Sequence, residues 1–226
     1  MARQFLFRDR AGAGRVLGGI LKPVIPGGDL IVLALPRGGV PVGFEVAEAL
    51  HADLDVFLVR KLGVPGQEEL AMGALASGGV RVLNEKLIEH LGIPDSVIDQ
   101  IAAREQREIE RREHLYRDGR SPQPVQGRTV ILVDDGLATG ATMLAAAIAV
   151  RESRPKQIVV AVPVASRETC DDFRKRVDRV VCAATPEPFS AVGEWYEHFT
   201  QTTDEEVQQL LARAAREHRP RDVGVI

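Results

Sequence analysis

Aromatic residues are scarce in this chain, 4% of 226 residues, and cysteine occurs only as Cys170 and Cys182. Two cysteines without CxxC spacing cannot build a disulfide scaffold, so reduced thiols with structural roles are expected, Cys170 within a helical stretch. The five histidines include no HxxxH or HExxH pair, which removes the usual zinc spacings. A dominant charge is lacking too: the net charge is -3, giving no positive field to hold a nucleic-acid backbone, and no nucleic-acid partner is expected. No apolar run reaches membrane-spanning length and MARQFLFRDR contains no secretory apolar core, so no membrane partner and a cytoplasmic location are expected. Internal repeats and low-complexity tracts are missing as well.

What is present is an ordinary globular balance, 45% hydrophobic and 27% charged, at a length that suits one α/β core with an insertion and a cap. Short branched apolar runs alternate with helical patterns. DLIVLAL (Asp29 to Leu35), DVFLVR (Asp55 to Arg60), TVILVD (Thr129 to Asp134), QIVVAVPV (Gln157 to Val164) and DRVVCAA (Asp178 to Ala184) read as strands. Helices are expected over Val40 to Leu50, Ala141 to Ser153 and Arg167 to Lys175. Continuous apolar strands separated by helices predict an α/β fold: a doubly wound, mostly parallel sheet.

A long interruption separates DVFLVR from TVILVD. ELAMGALASGGVRVLN (Glu69 to Asn84) predicts two short strands turning at Ser77-Gly78-Gly79, followed by helices over Glu85 to Leu91 and Pro94 to Arg117. The second helix is densely charged, with Glu108 four residues before Arg112, and predicts a solvated helix with one packed stripe; a subunit interface is its alternative role. A core over 1–184 with an insertion at about 69–127, then a small C-terminal hood and tail over 185–226, is the expected organisation. Thr202 or Thr203 can cap a helix opening at Asp204-Glu205-Glu206, and the tail after Arg219 is expected to be poorly ordered. AGAG (Ala11 to Gly14) follows no strand, so a helix-entry role outweighs dinucleotide binding.

The chemistry concentrates in VILVDDGLATGAT (Val130 to Thr142). A buried strand delivers Asp134 and Asp135 to the carboxyl edge of the sheet, where open parallel sheets bind ligands. The turn Gly136 to Thr142 then enters a helix, so backbone N–H groups and the positive helix end converge on an anion, with Thr139 and Thr142 as added donors. Two acceptors beside a phosphate cradle suit vicinal ribose hydroxyls. GxxxxGK[ST] and GxGxxG are both absent, against a nucleoside-triphosphate P-loop and a dinucleotide site; kinase or phosphatase chemistry at the acidic pair would need that missing lysine. LPRGGVPVG (Leu35 to Gly43) is a second strand-end segment, in which Arg37 offers an anion fork beside the approachable backbone of Gly38 and Gly39.

The segment Val130 to Thr142 closely resembles the motif with which type I phosphoribosyltransferases bind 5-phosphoribosyl 1-diphosphate (PRPP), and Leu35 to Gly43 fits the same resemblance. The family likeness implies a PRPP site made of Arg37, Gly38, Gly39, Asp134, Asp135, Ala138, Thr139, Gly140, Ala141 and Thr142, with the diphosphate on the Arg37 loop and a cis peptide expected at Arg37-Gly38. It implies a flexible lid in VRKLGVPGQEELAMG (Val59 to Gly73), where Lys61 first and Arg60 second would neutralise the departing diphosphate; surface-charge roles for both are equally compatible. Mg²⁺ is implied by the diphosphate, with Asp134 and Asp135 reaching the metal only through ribose or water. The C-terminal hood is the candidate acceptor pocket, with Pro186, Phe189 and Trp195 as stacking residues and Glu187 or Glu194 reading polar edges, against a plain packing role for each aromatic. The implied activity is transfer of phosphoribose to an unidentified small-molecule acceptor. The alternative is a non-catalytic PRPP-sensing protein, and a homodimer is the assembly considered.

Overall fold

The computed structural model describes residues 5–217. They form α1 (Arg10–Leu21), β1 (Leu30–Ala34), α2 (Gly39–Leu50), β2 (Asp53–Val56), β3 (Val59–Val64), β4 (Gln67–Ala76) and β5 (Arg81–Leu83). Then follow α3 (Glu85–Leu91), α4 (Asp95–Arg117), β6 (Thr129–Val133), α5 (Ala141–Glu152), β7 (Gln157–Val164), α6 (Arg167–Phe173), β8 (Arg179–Ala184) and α7 (Asp204–Glu217). The tail from Arg219 lies outside the described residues. No helix among them is long and apolar enough to cross a membrane.

Five parallel strands make the central sheet, in the order β2-β1-β6-β7-β8. Side chains on successive residues of a strand point to opposite faces, so a strand apolar at every position must be covered on both. The cores obey that parity. Ile31, Leu33, Val130, Leu132, Ile158 and Val160 pack on the face carrying α5 and α6, with Met143, Ala146 and Phe173. Val32, Ile131, Val133, Val159 and Ala161 pack on the other face with Leu17, Leu21, Val42 and Val46 of α1 and α2. From β1 the chain steps outward to β2; from β6 it steps the opposite way to β7 and β8. The carboxyl ends of β1 and β6 therefore flank the switch point, the crevice where such sheets bind ligands.

The two helices on the second face touch through glycine. A Cβ on Gly14 would lie 2.8 Å from the carbonyl oxygen of Val42, and one on Gly18 would lie 2.7 Å from the Ala49 Cβ, whereas Gly19 faces open space. The AGAG segment is thus a helical packing surface capped by Asp9, whose carboxylate accepts from the Gly12 N–H. Gly19→Ala is expected to raise stability by about 0.5–1 kcal/mol through reduced unfolded-state freedom, while Gly14→Ala lowers it by about 1–3 kcal/mol because main chain blocks the added methyl. Urea midpoints measure both; equal shifts of one sign would refute the contrast.

Two expectations change between β2 and α4. DVFLVR does not form one strand: β2 ends at Val56, and after Phe57 and Leu58 the chain enters a separate antiparallel sheet, β3-β4-β5. The stretch Val59 to Gly73, read as a loop, is largely a β-hairpin turning at Pro65-Gly66. Gly63 serves close approach, since a Cβ there would lie 2.7 Å from the Glu68 carbonyl oxygen, and the pairing register shifts on either side of it; Gly66 serves the turn with φ 77°. Leu62, Val64, Met72 and Leu75 pack against Ile98, Ala102 and Ile109 of α4, which are the packed stripe expected on that charged helix. Arg117 at its end grips Asp55 of β2 with Nε at 2.9 Å, both side chains being nearly buried, and so ties the insertion to the sheet edge. Glu108, paired with Arg111 and Arg112, has its carboxyl lowered to about 2, first by those hydrogen bonds.

Cys170 and Cys182, expected as free thiols, form a disulfide between α6 and β8. Sequence spacing of twelve residues gives no hint of that pairing; strand register and helix packing bring the two together. Cys182→Ser is expected to cost about 2–4 kcal/mol, the typical worth of such a cross-link. Wild-type protein treated with a dithiol should show the same denaturant midpoint as the variant, and an unchanged midpoint in both would refute the cross-link's contribution.

Candidate active site

β6 is apolar and buried up to Val133, so Asp134 and Asp135 emerge where the strand ends. The Asp134 Oδ1 accepts from the Asp135 N–H at 2.8 Å. Burial pushes the Asp134 carboxyl well above the usual carboxylate range, and the neighbouring Asp135 charge pushes it further. Asp135 is also raised by burial, against the pull of Arg10. After the pair, the Leu137 N–H donates to the Val164 carbonyl, which fastens the turn to β7. Gly136 and Gly140 are confined as well: a Cβ on the first would strike Val192, and Gly140 adopts φ 72° with the Phe173 ring 2.6 Å from where a Cβ would be.

Gly140 is the N-cap of α5 and supplies no side-chain cap, so the opening N–H groups of that helix have no capping side chain. Ala138, Thr139, Ala141 and Thr142 around it are exposed. The T-G-x-T turn thus opens directly into the helix, with its N–H groups uncapped by any side chain. The Thr169 hydroxyl donates to the Ala138 carbonyl oxygen at 2.8 Å, so α6 braces the turn from behind.

The Leu35 to Gly43 segment meets this site across the switch point. A Cβ on Gly38 would lie 2.1 Å from the Asp135 Oδ2, and one on Gly39 would lie 2.8 Å from the Val133 carbonyl oxygen. The two glycines are therefore required by proximity to the acidic pair; neither adopts a positive φ. The cis peptide expected at Arg37-Gly38 sits one bond earlier, at Pro36-Arg37, and Gly38 itself is αR at the start of α2. The Arg37 guanidinium faces Asp204 at the start of α7, 3.7 Å away, and Asp204 also accepts from the Tyr116 hydroxyl at 2.7 Å. Burial, then that hydrogen bond, pushes Tyr116 up to about 12.

Lys61 and Arg60 lie on β3 and engage other partners than the acidic pair. Lys61 Nζ reaches the exposed Glu69 at 3.1 Å across the hairpin, and Arg60 makes Nε and Nη2 contacts of 2.9 and 2.8 Å with the buried Glu105 of α4. An exposed pair such as Lys61–Glu69 is worth little and leaves the lysine free to reorient; Arg60 is held.

Of the hood residues, Phe189 and Trp195 stack with ring centroids 6.4 Å apart and pack beside Phe7 and Tyr196. Pro186 is half-buried, Glu187 pairs by its side chain with Arg167 and precedes a cis bond to Pro188, and Glu194 lies in the 3-10 turn Val192–Trp195. Phe189 alone of the three borders a cavity of about 520 Å³ that reaches Ala138, Thr139 and Gly140.

Three contributors escaped the sequence reading. Arg10 of α1 donates Nε to Asp135 Oδ2 at 2.7 Å and Nη1 to the Thr200 carbonyl at 2.6 Å, with its guanidinium 3.9 Å above the Phe199 ring. The Tyr196 hydroxyl donates to the Asp135 carbonyl at 2.6 Å, and burial raises its pKa far above the usual phenol value. Asp204, noted only as a helix opening, faces Arg37. Chain segments from both ends thus converge on the acidic pair and the Arg37 loop.

The family model of the phosphoribosyl transferase domain matches residues 11–197. Proteins from two Mycobacterium tuberculosis strains that carry the phosphoribosyl transferase name are 46% identical over 212 residues, 94% of this chain. The chain spans about half the length of these curated relatives, 48% of each. A Thermus thermophilus protein of known crystal structure is 43% identical and superposes with a TM-score of 0.81, covering 92% of this chain and 98% of that one. With the matched domain extending over most of its length and enclosing both loops of the switch point, the chain belongs to the phosphoribosyl transferase family.

Proposed function

We propose that this chain transfers 5-phosphoribosyl from PRPP to a small-molecule acceptor with release of diphosphate. One observation carries the reading: the uncapped start of α5, the Asp134–Asp135 pair and the Arg37 loop meet at a single switch point, in the order phosphate cradle, acceptor pair, anion fork. A ribose bearing a 5-phosphate and a 1-diphosphate has the matching order of groups. The cradle residues Ala138, Thr139, Gly140, Ala141 and Thr142 take the 5-phosphate, Asp134 and Asp135 orient the ribose hydroxyls, and Arg37 with the Gly38 and Gly39 backbone takes the diphosphate.

In the reaction the C1–O bond to diphosphate breaks and its electron pair leaves with the diphosphate. The acceptor's lone pair forms the new bond at C1, and the acceptor gives up its proton. Positive charge growing at C1 is stabilised by the acidic pair, and negative charge on the leaving group by Arg37 and by Lys61 swinging from its exposed pairing with Glu69. Arg60, fixed on Glu105, is better placed as a support of the hairpin.

Among the described residues no group of three or more His, Cys, Asp or Glu side chains could hold a metal ion by itself. Two carboxylates beside an anion site do fit Mg²⁺ carried mainly on substrate oxygens. Asp134 and Asp135 would hold it through ribose or water, and the ion would neutralise the diphosphate. On the acceptor side, Phe189 is the strongest of the three stacking candidates because it borders the cavity beside the cradle.

Calorimetry with PRPP and Mg²⁺, followed by diphosphate release over a panel of acceptors, tests the proposal. Saturable binding with acceptor-dependent release is expected. Binding without release for any acceptor would leave a PRPP-sensing protein, and no binding would overturn both.

A further inference from the structure

Arg10 stands outside both loops of the site and 125 residues from Asp135, yet the two side chains form an ion pair only 12% and 15% exposed. Taking both charges out of water is unfavourable unless the geometry is closely fixed. Here it is fixed from four sides. Asp9 caps the helix that presents Arg10, Asp135 receives Nε, the Thr200 carbonyl receives Nη1, and Phe199 lies under the guanidinium plane. Phe199 is itself seated against Gly193, where a Cβ would lie 2.7 Å from its ring.

The oxygens of the acidic pair divide accordingly. Asp135 gives Oδ2 to Arg10 and Asp134 gives Oδ1 to the Asp135 N–H, and among the described residues no other side chain bonds either carboxylate. Two remaining acceptors match two vicinal hydroxyls. Arg10 also borders the diphosphate loop, its Nε lying 3.2 Å from where a Cβ on Gly38 would be. The same contact that orients Asp135 therefore limits how closely the Gly38 backbone can approach it.

We infer that Arg10 is a positioning residue for ribose recognition: it turns Asp135 so that the oxygen it leaves over accepts from a ribose hydroxyl. This rests on the PRPP reading of the site. Arg10 does not touch the 5-phosphate cradle, so its loss should affect the sugar and spare the phosphate.

The test compares Arg10→Met and Arg10→Lys with wild type by calorimetry, using PRPP, ribose 5-phosphate and inorganic phosphate as probes. Arg10→Met is expected to weaken both sugar phosphates about 10–100-fold, the usual effect of losing a charge-assisted hydrogen bond, and to leave inorganic phosphate affinity unchanged. Arg10→Lys should recover part of the loss, since the ammonium restores charge without the planar fork. Phe199→Leu, which keeps the ion pair and removes its platform, should show the same selectivity with a smaller drop. Unchanged ribose 5-phosphate affinity in Arg10→Met, or an equal loss for all three probes, would overturn the inference; the second pattern would mark a merely structural arginine. Wild-type protein that binds inorganic phosphate and no PRPP would instead overturn the functional reading, and the inference with it.

Discussion

Asp134→Asn is expected to lower PRPP-dependent diphosphate release by at least about 100-fold while making the protein more stable, and Asp135→Asn to lower release as far while making it less stable. The loss of activity has one cause in both. An amide keeps the shape of the carboxylate and removes the charge that would face C1 in the proposed reaction, and groups preorganised against transition-state charge are typically worth about 10²–10³ in rate. The stability changes differ because the two carboxylates have different neighbours. Asp134 is half-buried beside a like charge, and its ionisation in the folded protein is opposed by desolvation and then by Asp135. Asparagine removes that opposition. Asp135 is the partner of Arg10, and asparagine would leave a nearly buried guanidinium without its counter-charge.

The pH dependence follows with a definite sign. A carboxyl whose folded pKa is raised binds its proton more tightly in the folded state than in the unfolded one. The Asp134 contribution to stability therefore falls as pH rises from the ordinary value of 3.8 through its raised folded value. Asp134→Asn should flatten that part of the melting-temperature profile. Thermal melts across pH, set beside steady-state diphosphate assays, check both halves; an Asp134→Asn protein that keeps full activity would remove the acidic pair from the mechanism.

The legible parts of this fold and site are those in which neighbours in sequence are neighbours in space. The buried strand, the acidic pair and the glycine turn of Val130 to Thr142 lie along one continuous strand-loop-helix path, so residue order alone placed the turn at the start of α5. The Arg37 loop was legible for the same reason, although its cis peptide was placed one bond too late. Arg10, Tyr196 and Asp204 reach the site from the chain's two ends, and no local pattern distinguishes them from surface or packing residues. Gly63, Pro65 and Gly66 read as a loop because their composition is that of one. The apolar Leu62, Val64, Met72 and Leu75 find partners in α4, some thirty residues on, and that packing favours a hairpin over a loop.

Gly38→Ala is expected to cost at least about 100-fold in PRPP affinity with a loss of stability no larger than that of Asp135→Asn, whereas Gly39→Ala should lose affinity and about 1–3 kcal/mol of stability because main chain must move. Backbone conformation does not forbid either change: Gly38 lies at φ -60° and ψ -33°, a region open to alanine. Space decides the outcome. The methyl on Gly38 would lie 2.1 Å from the Asp135 Oδ2, and a carboxylate can swing aside at moderate cost to the fold, but doing so breaks its bond to Arg10 and turns it from the ribose. The methyl on Gly39 meets the Val133 carbonyl oxygen at 2.8 Å and the Asp134 Cα at 2.9 Å. Those are main-chain atoms at the end of a strand hydrogen-bonded on both sides, so relief requires moving β6 or α2 itself. Calorimetry with PRPP and urea denaturation of the two variants separate the cases. Wild-type affinity in Gly38→Ala would show that the close approach of the two loops is a packing feature without a part in ligand recognition.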